Sequence, residues 1–216
     1  MDSVSKLGLD ASTYPYLTSA GTAAHEYLLP TVITLAREAI ASRREASVFD
    51  LGCGNGAAGA RVAAALGVKV VGVDLSQDGI RVARNAHPHL AFDVRSVYDD
   101  LATEYGRFPV VISLEVVEHL YSPRKYSQRL FELLEPKGTV IVSTPYHGYA
   151  KNLALAITGK MDAHFSALWD NGHIKFWSER TLRLLLEETG FVDIRFHRVG
   201  RVKALAKSMI ATATRA

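Results

Sequence analysis

Short apolar runs alternate with helix-forming stretches along most of the chain. Residues 47–51 and 69–74 are strand-like, and the alanine-rich stretch 56–66 between them reads as helix. Ser76 is a candidate N-cap for a helix that ends near His87-Pro88, because the residue before a proline avoids helical geometry. Residues 91–95 form a third strand, and residues 97–100 begin a short helical connection. Residues 109–114 are nearly all apolar, which suits a strand buried on both faces. A helix over 122–134, a turn at Pro136-Lys137-Gly138 and a fifth strand over 139–143 follow. Ser178 starts a helix that Gly190 stops, and residues 191–199 and 208–214 give the last two strands. Strands alternating with helices predict an α/β fold, a doubly wound and mainly parallel sheet with helices on both faces.

Two regions break this rhythm. Residues 1–21 are polar and contain Gly8, Pro15 and Gly21, so an irregular surface arm is expected there. Residues 22–46 are helical in pattern, with Pro30 expected to kink or split the helix. Residues 145–177 hold Pro145, Gly148, Gly159 and Gly172 and are long for a crossover, as functional loops often are. A mobile lid is expected there, carrying Leu153, Leu155, Ile157, Phe165 and Trp169 as exposed apolar candidates. The whole of 1–216 reads as one domain: arm and helices over 1–46, a ligand-binding half over 47–144, the insert over 145–177, and a C-terminal helix and strands over 178–216.

Composition narrows the class. Hydrophobic residues make up 48% of the 216, so the chain is globular. Twenty-five basic against 22 acidic residues leave a net charge of +3, and no extended nucleic-acid footprint. Part of the excess gathers near the C-terminus, in Arg195, His197, Arg198, Arg201, Lys203 and Lys207, and reads as a solvated edge. The single cysteine, Cys53, excludes an intrachain disulfide and suits a reducing compartment. With no apolar signal core at the N-terminus and no bilayer-length apolar run, a cytoplasmic protein is expected.

The chemistry starts at Asp50-Leu51-Gly52-Cys53-Gly54-Asn55-Gly56, where an apolar run ends in a glycine loop that opens a helix. Glycines let the backbone turn sharply and approach a ligand closely. Asp74, at the end of the next strand, stands where an acid can accept hydrogen bonds from both ribose hydroxyls of a nucleotide-like ligand. Gly54-Asn55-Gly56-Ala57-Ala58-Gly59 also fits the dinucleotide pattern. Asp50 argues the other way: an acid before the first glycine would face a pyrophosphate unfavourably and suits a ligand bearing an ammonium group. In this motif the chain resembles class I S-adenosylmethionine-dependent methyltransferases. The resemblance implies a seven-stranded sheet with the final strand antiparallel between the fifth and sixth. It also implies a cofactor held along Asp50, Gly52, Cys53, Gly54, Asn55 and Gly56, with its ribose on Asp74. Leu75, Ser96 and Val97 would then edge the adenine, and Leu114 would line the cofactor floor. Cys53 reads as a small packing residue rather than a nucleophile.

A second informative stretch, Ile112-Ser113-Leu114-Glu115-Val116-Val117-Glu118-His119-Leu120, ends the fourth strand. If the chain turns helical there, Glu115, Glu118 and His119 share a face. Two carboxylates and an imidazole can hold Mg²⁺, Mn²⁺ or Zn²⁺, but an acid and a histidine here can also position substrate without metal. His173, in Asn171-Gly172-His173-Ile174-Lys175-Phe176, lies in a segment expected to fold over the same edge. The four residues resemble the metal set of two groups: the ubiquinone-biosynthesis O-methyltransferases and the small-RNA 3′-end 2′-O-methyltransferases. The first resemblance runs from about residue 47 to residue 191 and implies methyl transfer to a hydroxyl of a small molecule, phenolic, catechol-type or sugar-like. It also implies catalytic roles for His119 and Glu118, and weak membrane contact through the insert. Weak positive charge and the lack of aromatic–basic interleaving argue against RNA as the acceptor. Asp50 and the lack of a hydride-transfer dyad argue against a dinucleotide-dependent reductase.

Overall fold

Strands that are apolar on both faces need cover on both faces, and the structure supplies it. The computed structural model describes residues 16, 18–41, 43, 46–165 and 167–216; of the arm expected over 1–21, residues 1–15 and 17 lie outside them. The strands are β1 (Ser47–Leu51), β2 (Lys69–Asp74), β3 (Ala91–Val94), β4 (Phe108–Leu114), β5 (Leu134–Pro145), β6 (Phe191–Val199) and β7 (Ser208–Arg215). They make one seven-stranded sheet in the order β3-β2-β1-β4-β5-β7-β6. The first five run parallel, and β7 runs antiparallel between β5 and β6, as the family resemblance implies.

Strand alternation sorts the core into two layers. Val48, Val70, Val110, Ile112 and Ile141 point to α1 (Ala23–Ile40) and α2 (Ala57–Leu66), meeting Leu28, Leu29, Val32 and Val62. Phe49, Leu51, Val111, Val140 and Val142 point the other way, to α5 (Pro123–Leu133) and α8 (Glu179–Thr189), meeting Tyr126, Leu130, Leu182 and Leu186. The short α4 (Leu101–Tyr105) adds Leu101 to this second layer. At one end of the sheet, α3 (Gln77–Ala86) packs Ile80 and Ala83 on Phe92 and Cys53.

Two expectations are corrected. First, α1 runs unbroken through Pro30. Pro30 is on the exposed face, so the carbonyl that its missing N–H leaves free can turn to water. Second, β5 begins at Leu134, not at residue 139. Its register against β4 jumps from Phe108↔Leu134 to Val110↔Thr139, so the Pro136-Lys137-Gly138 turn is absorbed as a bulge inside the strand, with Lys137 at φ 62°.

In the insert, α6 (Tyr149–Ile157) and α7 (Met161–His164) bury none of their side chains. Among the described residues no helix is long and apolar enough to cross a membrane. The sheet order reverses direction between β1 and β4, and an open α/β sheet gathers its ligands at the carboxyl ends of the strands flanking such a reversal. Both informative sequence stretches end there, the glycine loop after β1 and the Glu-x-x-Glu-His segment after β4.

Gly72, in the middle of β2, has no room for a side chain: an added Cβ would stand 2.8 Å from Phe92 and 2.9 Å from Cys53. Gly72→Val should therefore cost about 1–3 kcal/mol by overpacking. Urea unfolding followed by circular dichroism measures this, and an unchanged midpoint would contradict it.

Candidate functional site

The glycine loop is anchored to β2. The Gly52 and Cys53 amides both donate to the Val73 carbonyl, at 2.8 and 2.9 Å. Gly52 adopts φ 83°, and a Cβ there would collide with Val116, so the loop and the turn after β4 touch directly. Asp74 ties the loop further: one carboxylate oxygen accepts from the Gly54 amide and the other from the Ser76 amide, each at 2.8 Å. Asn55 Nδ2 donates to the Thr18 and Ala20 carbonyls at 2.8 and 3.0 Å, which fastens the chain ahead of α1 to the loop. Tyr16 lies against Gly54 and Gly79, at a position where a Cβ on either glycine would clash with its ring.

Asp50 sits beneath this loop and is 1% exposed. Its Oδ2 is buried without a hydrogen-bond partner. Burial, and then the Asp74 carboxylate, push its pKa up to about 7, with the Gly59 amide opposing them. Asp74 is raised as well by burial, against the pull of its amide donors. The Cys53 thiol is raised well above its ordinary value by burial, which fits a packing residue and not a nucleophile. Leu75 is exposed at the end of β2, Leu114 is buried at the end of β4, and Ser96 and Val97 follow β3 with the Ser96 amide donating to Asp99. All four stand at the carboxyl edge around the loop.

The segment after β4 is not an α-helix. Glu115 takes a left-handed conformation at φ 55°, and only Val117–His119 close a 3₁₀ turn. The shared face expected for Glu115, Glu118 and His119 is therefore not formed. Glu115 turns to β5 and β7 instead. Its Oε1 accepts from Ser143 Oγ at 2.8 Å and its Oε2 from Ser208 Oγ at 3.3 Å, while Tyr27 bonds to the same Ser208 hydroxyl.

Glu118, His119 and His173 do come together: each offers a ligand atom, and these atoms lie within 4.8 Å of one another. The Glu118 carbonyl accepts from the Ile174 and Lys175 amides, at 2.9 and 3.0 Å, which lays the end of the insert across the 3₁₀ turn. Trp177 Nε1 donates to the Val117 carbonyl, and the Trp169 ring packs on both histidines. His119 Nδ1 faces the Asn171 and Gly172 carbonyls at 2.9 and 3.2 Å. Those acceptors require a proton on Nδ1, so the Nε2 lone pair is free to bind a cation or take a proton.

The electrostatics are those of a site built for a positive charge. Glu118 is 1% exposed, and neither carboxylate oxygen has a hydrogen-bond partner. The Thr144 hydroxyl is close enough to favour the ionised form but stands outside hydrogen-bond geometry. Burial, then the Glu115 carboxylate, raise the Glu118 pKa well above the ordinary value. Burial lowers His119, and burial together with His119 lowers His173 to about 4. Two neutral imidazoles and an unpartnered buried carboxylate fit a divalent cation, which would offset the desolvation of the acid.

Sequence reading missed Tyr16, the serines that hold Glu115, and Thr144. The Asn171-Gly172 pair was the available signal for the turn that delivers His173: Asn171 is left-handed at φ 64°, a conformation asparagine tolerates.

Comparison with known proteins bears on the family and the fold. A family model described as a methyltransferase domain matches residues 23–195. The ubiquinone biosynthesis O-methyltransferase of Bradyrhizobium diazoefficiens is 37% identical over 114 residues, 52% of this chain and 44% of that protein. Its counterpart from Cereibacter sphaeroides is 39% identical over 115 residues, 52% of this chain and 46% of that one. The chain thus spans less than half the length of these relatives in the matched region. Among solved structures, magnesium protoporphyrin IX methyltransferase from Synechocystis with bound SAH superposes with a TM-score of 0.66 at 21% identity, covering 87% of this chain and 82% of that one. A DszA carbon methyltransferase superposes with a TM-score of 0.68 at 18% identity, covering 90% and 55%.

Two predictions follow the buried acids. A carboxyl whose folded pKa is raised holds an extra proton in the native state between its unfolded and folded values, so it withdraws stability as pH rises through that window. For Asp50 the window runs from 3.8 to about 7. Asp50→Asn should make the ligand-free protein more stable than wild type at pH 8, by up to about 4 kcal/mol, with the advantage fading towards pH 4. Urea titrations at both pH values test the sign. Asp74→Ala should weaken S-adenosylmethionine binding by about 1–3 kcal/mol in calorimetry, since it removes an acceptor and frees the Gly54 amide; equal affinity would remove Asp74 from the cofactor site.

Proposed function

The chain belongs to the methyltransferase domain family, as a class I S-adenosylmethionine-dependent enzyme, and from that premise we propose that it methylates a hydroxyl of a small molecule with help from a divalent cation. The observation that carries the reading is the Glu118 carboxylate, buried without a partner between two imidazoles whose lone pairs are available. Names of relatives that methylate oxygen support the same acceptor atom.

Each part of the site has a task in this reading. The loop over Gly52, Gly54 and Gly56 and the Asp74 carboxylate hold the methyl donor, and Tyr16 covers the loop from the N-terminal side. S-adenosylmethionine, when bound, supplies an electrophilic methyl group. Glu118, His119 and His173 would hold the cation, which when bound lowers the pKa of a hydroxyl and makes it a better nucleophile. Glu115 does not join this set, because Ser143 and Ser208 hold its carboxylate against β5 and β7. His119 keeps its Nε2 lone pair directed by the carbonyls at Nδ1, so without a cation it can take the hydroxyl proton as a general base. The Trp169 ring packs on both histidines and covers part of each.

Methyl transfer to a panel of catechols, phenols, sugars and RNA 3′ ends should show turnover of a hydroxylated small molecule. Exhaustive chelation should abolish it, and added Mg²⁺, Mn²⁺ or Zn²⁺ should restore it. His119→Ala should reduce turnover at least about 100-fold, the usual worth of a lost acid–base group. Full turnover in both the chelated enzyme and the His119→Ala variant would refute the reading.

A further inference from the structure

Beside the histidine pair, a cleft of ≈ 480 Å³ opens between α6 and the connection from β6 to β7. That volume suits a single small molecule. Its lining is mixed: Glu115 and His173, the apolar Leu155 and Leu205, and the cations Lys151, Arg201 and Lys207. Arg201 and Lys207 belong to the basic cluster that sequence reading takes for a solvated edge; the fold turns these two towards the same cleft as His173.

Two of these cations are held in place. Lys151 is half-buried, and its Nζ donates to the Tyr146 carbonyl at 2.8 Å and the Lys207 carbonyl at 3.4 Å. Lys207 Nζ stands over the Tyr27 ring, 5.1 Å from its centroid. Among the described residues none of the three has a carboxylate within ion-pair distance, although many arginines elsewhere are paired that way. The one acid lining the cleft is Glu115, whose two oxygens are taken by Ser143 and Ser208. Burial and then the neighbouring Arg201 disfavour the charged form of Lys151, and the Glu115 carboxylate opposes them. A lysine ammonium held half out of water beside a second cation, with no carboxylate in ion-pair distance, gains from a further anion.

We propose that the methyl acceptor carries an anionic group, a carboxylate or a phosphate, held by Lys151, Arg201 and Lys207 while its hydroxyl reaches His173, the member of the Glu118–His119–His173 cluster that lines the cleft. This rests on the reading of the site as a small-molecule O-methyltransferase. Ala154, Leu155 and Leu205 would pack a ring or chain, so the acceptor combines a hydroxyl, an apolar part and an anionic group.

The test compares three catechols: 3,4-dihydroxybenzoate, a 3,4-dihydroxybenzylphosphonate, and the neutral 3,4-dihydroxybenzyl alcohol. One or both acids should exceed the alcohol in kcat/KM by roughly tenfold, the worth of one charge-assisted contact. The gap should narrow at high salt, because the site is partly open to water. The better of the two acids identifies the anion class. Lys151→Met and Arg201→Gln should each shrink the ratio of acid to alcohol, and Arg201→Gln, at an exposed position, should do so with unchanged thermal unfolding. Calorimetric titration of the three compounds into the S-adenosylhomocysteine-loaded protein gives a readout independent of turnover. Anion-selective binding that both variants lose, without methylation of any catechol, would overturn the proposed function and leave the anion subsite standing. Equal binding of acids and alcohol, or selectivity that survives the double variant, overturns the subsite whatever the turnover.

Discussion

Two amide hydrogen bonds to one carbonyl set the geometry of the site. Ile174 and Lys175 both donate to the oxygen of Glu118, and this fixes the end of the insert against the turn that follows β4. His173 immediately precedes that pair, so main-chain geometry delivers its ring to His119, where it also packs on Trp169. The same clamp brings the Asn171 and Gly172 carbonyls to His119 Nδ1, which decides the tautomer. The placement of both imidazoles and the tautomer of His119 thus follow from a single backbone contact between segments more than fifty residues apart.

Around that contact the protein keeps carboxylates where water would normally be needed to support them. Asp50 and Glu118 are each 1% exposed and carry oxygens with no partner, and Asp74 is held by amides. One acid lies under each half of the carboxyl edge. A buried unpartnered acid weakens the ligand-free fold, and any cationic group that approaches it recovers the difference. The stability sacrificed at each acid is therefore coupled to occupancy of its half of the edge.

Most of the scaffold was legible in the chain because strands buried on both faces leave long apolar runs and because Gly and Pro mark the ends of helices. The order of the edge strands was not written in periodicity; it came with the family resemblance. The cofactor loop was legible because its glycines serve the backbone, and backbone requirements are local. The Glu-x-x-Glu-His segment was only half legible. Spacing assumed a helix, whereas the left-handed Glu115 sends its side chain to Ser143 and Ser208, partners that lie 28 and 93 residues away. Pro30 was expected to kink or split the helix, and α1 continues through it without a break. Arg201 and Lys207 are exposed, as a solvated edge would have them, and what nothing local in the sequence tells is that they line the same cleft as His173.

Helices α6 and α7 bury none of their side chains, yet they make one wall of the cleft. Residues that contribute little to folding are free to change, and those that face a ligand are exposed to selection on what is bound. The wall is thus the part of this protein that evolution can rewrite most cheaply. Drift along 149–164 could move a descendant from one acceptor to another while the sheet, the glycine loop and the methyl donor's seat stay as they are. The architecture sets a buried sheet and its glycine loop apart from an exposed wall, and the two meet at the peptide that joins His173 to Ile174.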